Sequence, residues 1–200
     1  NTPFQGGCKP RVSRVVLIDM RITVWYTQHD KSGFTEVGME LKQIGTKDVD
    51  SIAPLLAAFR VQLKSYKGIQ SKPDVEAAKE EILDFLNSGF PVYAVADNDV
   101  LAGYLVCRID EPCLWVEHIF VREDYRRKGV ATMLFHKAEE IAASMGEDTV
   151  YNFVHPNNEG MIRFLASKGY TVLNMIEIRK PYKGEKLTTT IHVEKEAFDY

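Results

Sequence analysis

The sequence predicts an α/β fold in which a mixed, mostly antiparallel sheet is flanked by helices. Three β-prone runs separated only by short turns occupy the middle of the chain, which indicates neighbouring antiparallel strands. Stretches with helical periodicity precede and follow these runs. With 200 residues, 45% of them hydrophobic and 26% charged, the chain is long enough to form one globular domain with its own core.

The first 38 residues differ from the rest, and we assign them to an N-terminal extension of a main domain at 39–200. Residues 12–27 are rich in Val, Ile, Trp and Tyr, which predicts one appended β-strand. A leader or a remnant is the alternative interpretation of this extension. The segment that follows Met39 alternates between polar and apolar residues, which predicts the first strand of the main domain.

Two helices are predicted next. Asp50 and Ser51 are suited to cap a helix that ends at Lys64. A second helix is predicted at 73–88, with an Asp near its start and Gly89 just past its end. The polar loop at 65–72 is flexible enough to cover a substrate.

Strands and helices then follow in a mixed order. Strands are predicted at 90–96, 100–109 and 113–121, because these runs are β-prone and turn-forming residues separate them. The remaining predicted elements are a helix at 130–146, a short buried strand at 149–154, a helix at about 158–168, and strands at 170–179 and around 188–194.

A basic, glycine-containing loop connects the third central strand to a long helix. Its main-chain N–H groups and those of the first helical turn lack intrahelical partners, so they can converge on a phosphate. Gly129 allows the backbone to bend and approach a ligand, and Arg126, Arg127 and Lys128 add charged donors. Such a run is often only a solvated turn, but its position between strand and helix favours an anion site. The loop is neither a Walker sequence nor a dinucleotide fingerprint, which disfavours kinases and dehydrogenases.

The run Arg126-Arg127-Lys128-Gly129-Val130-Ala131 is similar to the Arg/Gln-x-x-Gly-x-Gly/Ala signature of the GNAT superfamily of CoA-dependent N-acyltransferases. Residues 116–125 resemble the fourth strand of that family and the approach to its loop. Residues 158–170 resemble its second motif, on the following helix. The resemblance extends from Met39 to about Tyr182.

The resemblance implies a twisted sheet whose fourth and fifth strands splay apart and accept the pantetheine arm of acetyl-CoA, the implied cosubstrate. Main-chain groups of the fourth strand would bind pantetheine, the loop would hold the pyrophosphate, and Asn158 would steady the cofactor arm. The residues expected to bind the cofactor are Ile119, Phe120, Val121, Arg126, Arg127, Lys128, Gly129, Val130, Ala131, Thr132, Asn158 and Phe164.

Acyl transfer to nitrogen needs a base, because an alkylamine with a pKa of about 10 is protonated at neutral pH. Glu117 is the leading candidate, since a carboxylate within an apolar central strand is costly unless it is paired or functional. An ion pair with a neighbouring cation is an equally good interpretation. His118 is the second candidate, although a hydrogen-bonded structural role is commoner for such a residue, and His155 is the third.

The general acid is less clear. Many family members place a tyrosine on the second-motif helix at the position that Leu165 occupies here, and leucine cannot donate a proton. Tyr151, Tyr170, Tyr182 or water are open alternatives.

The function that we expect is transfer of the acetyl group of acetyl-CoA to a primary amine of a small molecule or peptide. Direct attack by the amine is preferred, because burial as small hydrophobes is the commoner role for Cys107 and Cys113. A non-catalytic acyl-CoA-binding sensor or interaction module is the alternative.

Composition also limits the partners. The net charge of −3 argues against nucleic acid, and no apolar stretch approaches the roughly 20 residues that cross a bilayer. Three cysteines without zinc-type spacing suggest free thiols in the cytoplasm and no metal site. The β-prone edges at 12–27 and 188–194 make a homodimer plausible.

Overall fold

The computed structural model describes residues 38–200 of the chain, and these form two compact units at 38–159 and 160–200. The predicted N-terminal strand at 12–27 and the β arm that it would form lie outside the described residues.

The first unit contains a five-stranded sheet with the order β1-β2-β3-β4-β5. Strands β1 to β4 are antiparallel to their neighbours, and β5 runs parallel to β4. The strands are β1 (Met39–Gln43), β2 (Val92–Asp97), β3 (Val100–Asp110), β4 (Cys113–Val121) and β5 (Tyr151–Asn152). The predicted mixed, mostly antiparallel sheet is therefore confirmed, although β5 is much shorter than the predicted strand at 149–154.

Three helices complete this unit, and a fourth begins at its end. They are α1 (Val49–Tyr66), α2 (Val75–Asn87), α3 (Val130–Ser144) and α4 (Glu159–Ser167). The Asp74 carboxylate caps α2 by accepting a hydrogen bond from the Ala77 N–H at 3.1 Å. The prediction that Asp50 and Ser51 cap α1 is wrong, because a 3₁₀ turn at Thr46–Asp48 leads directly into the helix and makes Asp48 the N-cap.

The two faces of the sheet have separate helical covers. Buried residues of α1 and α2 form one apolar cluster with Tyr104, Val106 and Phe120, whose side chains therefore share one face of β3 and β4. Neighbouring residues in a strand face opposite sides of the sheet, so Gly103 faces away from the side of Tyr104. Gly103 lies against Val130 at the start of α3. The opposite face of the sheet therefore packs on α3.

The second unit is mostly irregular. Its regular elements are the greater part of α4 and a hairpin of β6 (Thr190–Val193) and β7 (Glu196–Asp199). The prediction of a single strand at 188–194 thus missed its partner β7. The predicted strand at 170–179 is wrong: the segment has no regular secondary structure, and large side chains such as Val172 and Leu173 are exposed. β-Prone composition alone does not make a strand, because the main chain needs a neighbouring strand to pair with.

Candidate active site

The basic loop joins β4 to α3 through two left-handed residues. After a 3₁₀ turn at Glu123–Tyr125, Arg127 has φ = 63° and Gly129, the N-cap of α3, has φ = 87°. Left-handed residues next to a helix start turn consecutive N–H groups towards one side, which creates an anion-binding concavity. A Cβ at Gly129 would have no protein atom within 4 Å, so the space beside this residue is open.

The main-chain donors of the loop are available for a ligand. Within residues 38–200, none of the N–H groups from Arg127 to Thr132 donates a hydrogen bond. Met133 is the first residue of α3 that does so, to the Gly129 carbonyl at 3.0 Å. Six consecutive donors therefore lie at the positive end of the α3 dipole.

Contacts that the sequence analysis missed hold this loop. The Tyr125 hydroxyl donates to the Asp97 carboxylate at 3.1 Å, and the Lys128 ammonium lies 4.9 Å from the Tyr125 ring centroid.

Strands β3 and β4 approach each other closely at Gly103, where a Cβ would lie 2.6 Å from the Phe120 carbonyl oxygen. A glycine within an otherwise apolar strand was the available signal for such a close approach.

Arg126 connects the loop to α1. Its Nε lies 3.4 Å from the Val121 carbonyl oxygen, and its Nη2 lies 3.3 Å from Oε1 of Gln62. The guanidinium therefore stands at the end of β4, beside the main-chain groups expected to receive pantetheine.

Strands β4 and β5 separate after two residue pairs. Trp115 pairs with Tyr151 and Val116 with Asn152, and within the described part of the chain no strand pairs with Ile119 to Val121 on that side. The β5 side of β4 is therefore open from Glu117 onward. This geometry agrees with the splayed central strands that the resemblance implied.

A β-bulge places Glu117 and His118 on the same face of the sheet. Val106 pairs with His118 and Cys107 with Val116, so Glu117 is the extra residue. Arg108 shares the face of Val106, two residues away, and its Nε donates to Oε2 of Glu117 at 3.2 Å. Without a bulge, the side chains of Glu117 and His118 would point to opposite faces of the sheet. The extra residue interrupts this alternation, so both point to the same face.

His118 belongs to a buried polar cluster. Its side chain is 4% exposed, its Nε2 lies 3.2 Å from Nη2 of Arg60, and its Nδ1 lies 3.3 Å from the Tyr104 hydroxyl. Arginine can only donate, so Nε2 accepts and Nδ1 carries the proton. Burial, and then the Arg60 charge, lower the pKa of His118 to about 3. Because both ring nitrogens are engaged, this geometry favours the structural role over the role of base.

The His118 cluster also fixes the two early helices. Glu81 of α2 forms an ion pair with Arg60 of α1, and its carboxylate lies 3.6 Å from Nε2 of His118. The ring of Phe59 lies 4.6 Å from the imidazole, centroid to centroid. Burial, as the largest cause, raises the pKa of the Tyr104 hydroxyl well above its usual range, so this group stays protonated.

Glu117 is more accessible than His118. Its side chain is 32% exposed and lies at the open edge of β4, where it pairs with Arg108. Arg108 pairs in addition with Asp110, and its guanidinium carbon lies 5.6 Å from the Trp115 ring centroid. Glu117 therefore forms the ion pair that was one of its two interpretations. Its carboxylate is still partly exposed to solvent where β4 and β5 separate.

His155 and its neighbours lie against the end of α1. The His155 ring stacks on Tyr66 with centroids 5.6 Å apart, and its Nδ1 accepts from the Asn157 N–H at 3.3 Å. Burial, followed by the charge of Lys67, lowers the pKa of His155. Asn158 is half-buried, and its N–H donates to the His155 carbonyl at 2.8 Å.

Two further residues from the sequence analysis lie on α4, in the second unit. Phe164 is half-buried, with the Lys168 ammonium 5.9 Å from its ring centroid. Leu165, at the position where a tyrosine acid was expected, is buried.

Of the two described cysteines, Cys107 is a poor nucleophile. It is buried in β3, and burial raises the pKa of its thiol to about 12. A thiol that stays protonated at neutral pH does not attack a thioester efficiently. Cys113 is half-buried at the start of β4.

Comparison with known proteins decides the family. The sequence model of the acetyltransferase (GNAT) family matches residues 56–170, which is more than half of the chain. The chain belongs to the GNAT acetyltransferase family. This match spans the basic loop and the helices and strands around it, so the resemblance stated from the motifs is confirmed. No curated protein matches the sequence of the chain.

Solved structures show the same GNAT fold. The aminoglycoside N-acetyltransferase AAC(6')-Iy, solved with a CoA-containing bisubstrate analogue, is 17% identical with a TM-score of 0.56, over 72% of this chain and 99% of its own. A second structure of that enzyme, with CoA, is 16% identical with a TM-score of 0.57, over 72% and 94%. The PaiA N-acetyltransferase from Thermoplasma acidophilum, solved with coenzyme A, is 19% identical with a TM-score of 0.55, over 65% and 87%. The expectation of acetyl-CoA as cosubstrate agrees with these complexes.

Residues 38–200 lack two features, a membrane-spanning helix and a metal-binding cluster. No helix there is both long enough and apolar enough to span a bilayer. In the same range, no three side chains of His, Cys, Asp or Glu are grouped so that they could hold a metal ion.

Proposed function

We propose that this GNAT protein is an N-acetyltransferase that moves the acetyl group of acetyl-CoA to a primary amine of a small molecule or peptide. The observation that supports this proposal best is a row of six N–H groups, from Arg127 to Thr132, that donate no hydrogen bond within residues 38–200. They lie beside the open edge of β4. An anion site and an open strand edge at one place suit a cosubstrate that carries a diphosphate and an amide-containing arm.

In this proposal the loop holds the diphosphate. The N–H groups from Arg127 to Thr132 donate to its oxygens, and the side chains of Arg126, Arg127 and Lys128 add charge. Main-chain groups of β4 at Ile119, Phe120 and Val121 accept the pantetheine amides like an added strand. Asn158 and Phe164 are proposed as further contacts to the cosubstrate.

The reaction is written as direct attack. The amine nitrogen forms a bond to the thioester carbonyl carbon, the carbon–sulfur bond breaks, and the sulfur leaves as the thiolate of CoA. The amine gives up one proton and the thiolate takes one up. Because a thiol has a pKa of about 8.5, the thiolate leaves without a dedicated acid, and water protonates it. Leu165 is then compatible with turnover.

Glu117 is the proposed base. An alkylammonium, with a pKa of about 10, holds its proton too firmly for a carboxylate to remove it before attack. The attacking species is therefore the neutral amine, formed when the ammonium loses a proton to water. Its nitrogen becomes far more acidic as the bond to carbon forms, so the second proton passes to Glu117 after attack. Arg108 orients this carboxylate through its hydrogen bond to Oε2. His118, whose ring nitrogens are both engaged, is proposed to position the strand.

A non-catalytic acyl-CoA-binding module is the second candidate function. The buried Leu165 favours it, since this residue replaces the tyrosine that supplies a proton in many family members. The loop would bind CoA equally well in such a protein, and the two functions differ only in turnover.

Binding and turnover measured together test the proposal. Isothermal titration with acetyl-CoA is expected to show saturable binding, and a thiol-release assay on a panel of primary amines is expected to show turnover. Tight binding without release for any amine would support the module. Absence of binding would contradict both functions.

We propose a cytoplasmic homodimer with the catalytic domain at 39–200 and a separate extension at 1–38, with no nucleic-acid partner. Gel filtration with light scattering at micromolar concentration is expected to give twice the mass of 22.7 kDa, and a monomer would contradict the dimer.

A further inference from the structure

Three aromatic side chains form a shelf beside Glu117, and the mechanism above does not use them. The aromatic shelf consists of Tyr151, Trp115 and Phe153. The Trp115 ring lies 4.9 Å from Tyr151 and 4.6 Å from Phe153, centroid to centroid, and its plane is inclined by only 13° to that of Phe153. Phe153 is 65% exposed, so the outermost ring of the shelf offers its surface to solvent.

The shelf lies on the same face of the sheet as Glu117. Trp115 pairs with Tyr151 across β4 and β5, and Trp115 also pairs with Arg108 of β3. Arg108 contacts both the Trp115 ring and the Glu117 carboxylate. Two residues along a strand span about 6.6 Å. A nitrogen hydrogen-bonded to the carboxylate lies about 2.9 Å from it, which leaves about 3.7 Å, or two to three bonds, between that nitrogen and a ring on the shelf.

The local charge suits a single cation. The Arg108 guanidinium is shared between the carboxylates of Glu117 and Asp110, which leaves this corner with one excess negative charge. A polycationic acceptor would need more carboxylates to offset its charges. A ring face such as that of Phe153 favours another flat ring and provides no hydrogen-bonding partner for hydroxyl groups.

From these observations we infer that the acceptor is an arylalkylamine, a primary amine carried one or two carbons from an aromatic ring. The ring stacks on Phe153 and extends the aromatic shelf, while the nitrogen lies between Glu117 and the thioester. This inference rests on the proposed function for the reaction, and it adds the chemical class of the acceptor.

Binding is measured separately from turnover so that the two can fail independently. The chain has two tryptophans, Trp25 and Trp115, so a Trp25→Phe background leaves Trp115 as the sole fluorophore. The probes are 2-phenylethylamine, n-hexylamine and glucosamine. Each is titrated in the presence of saturating CoA to measure binding, and thiol release is recorded in a separate assay with acetyl-CoA. Phe153→Leu keeps an apolar side chain but removes the ring, and Leu83→Ala, at an exposed site on α2, is the control variant.

We expect 2-phenylethylamine to quench Trp115 saturably, with an apparent affinity and kcat/KM about fivefold above those for n-hexylamine, as stacking predicts. Phe153→Leu should reduce that preference to within about twofold, whereas Leu83→Ala should retain it. Equal behaviour of the two amines, preference for glucosamine, or a preference unchanged in Phe153→Leu would overturn the inference. Saturable, ring-dependent quenching without thiol release would instead leave the inference standing and contradict the proposed reaction.

Discussion

Two glycines at opposite ends of α3 provide a matched test of the anion site. Gly129 precedes the helix with φ = 87°, and Gly146 follows it with φ = 85°. A Cβ at either position would have no protein atom within 4 Å. Gly129→Ala and Gly146→Ala therefore introduce the same left-handed strain and the same methyl group, and only the first does so beside the undonated N–H groups.

The strain alone should cost each variant about 1–2 kcal/mol of unfolding free energy. The added methyl of Gly129→Ala also stands where the diphosphate is proposed to bind, and relaxation of the strained residue turns the neighbouring N–H groups away. Loss of one hydrogen bond to a charged oxygen costs about 1.5–3 kcal/mol. The Kd for coenzyme A should therefore rise by about 10- to 150-fold.

Isothermal titration with coenzyme A and urea unfolding on both variants separate strain from binding. We expect similar losses of stability, with CoA affinity reduced in Gly129→Ala and retained in Gly146→Ala. Equal CoA affinity in the two variants would refute the assignment of the diphosphate to this loop.

Three further predictions concern the fold and the chemistry. Gly103→Ala should lower the unfolding free energy by about 1–3 kcal/mol, since its Cβ would meet the Phe120 carbonyl oxygen, and an unchanged urea midpoint would contradict that reasoning. Glu117→Gln should lower kcat by about 10²- to 10⁴-fold with little effect on the Kd for acetyl-CoA, whereas a purely structural ion pair would leave kcat almost unchanged. The pKa of His118 is about 3 in the folded protein and about 6.5 in the unfolded chain. At a pH between these two pKa values, the unfolded chain therefore binds one more proton than the folded protein. The contribution of neutral His118 to the unfolding free energy should be fully present above about pH 6.5, and it should fall on acidification by up to about 1.4 kcal/mol per pH unit. Urea unfolding at pH 7, 6 and 5 measures this slope, and the His118→Gln variant should lack it.

Features that depend on neighbouring residues in the chain were predictable. The charges and glycine of the basic loop lie within a few positions of the α3 start, so strand, loop and helix could be assigned from local sequence. The same holds for the cap of α2 at Asp74, which needs only the first turn of its own helix.

Features that depend on distant residues were not predictable. The bulge at Glu117 exists only in the pairing of β3 with β4, and without it the relation of Glu117 to His118 could not be stated. The Arg60 and Glu81 partners of His118 come from two helices far away in sequence. The strand predicted at 170–179 was wrong for the same reason, because composition does not reveal whether a pairing strand is present.

The central claim, that main-chain donors from Arg127 to Thr132 bind the diphosphate of CoA, is tested most directly by amide NMR. ¹⁵N-labelled protein would be titrated in parallel with coenzyme A and with pantetheine, which lacks the diphosphate. We expect saturable shifts of the loop amide signals with coenzyme A and much smaller shifts of the same signals with pantetheine. Loop amides that stay unshifted at saturating coenzyme A, or that respond equally to both compounds, would contradict the claim.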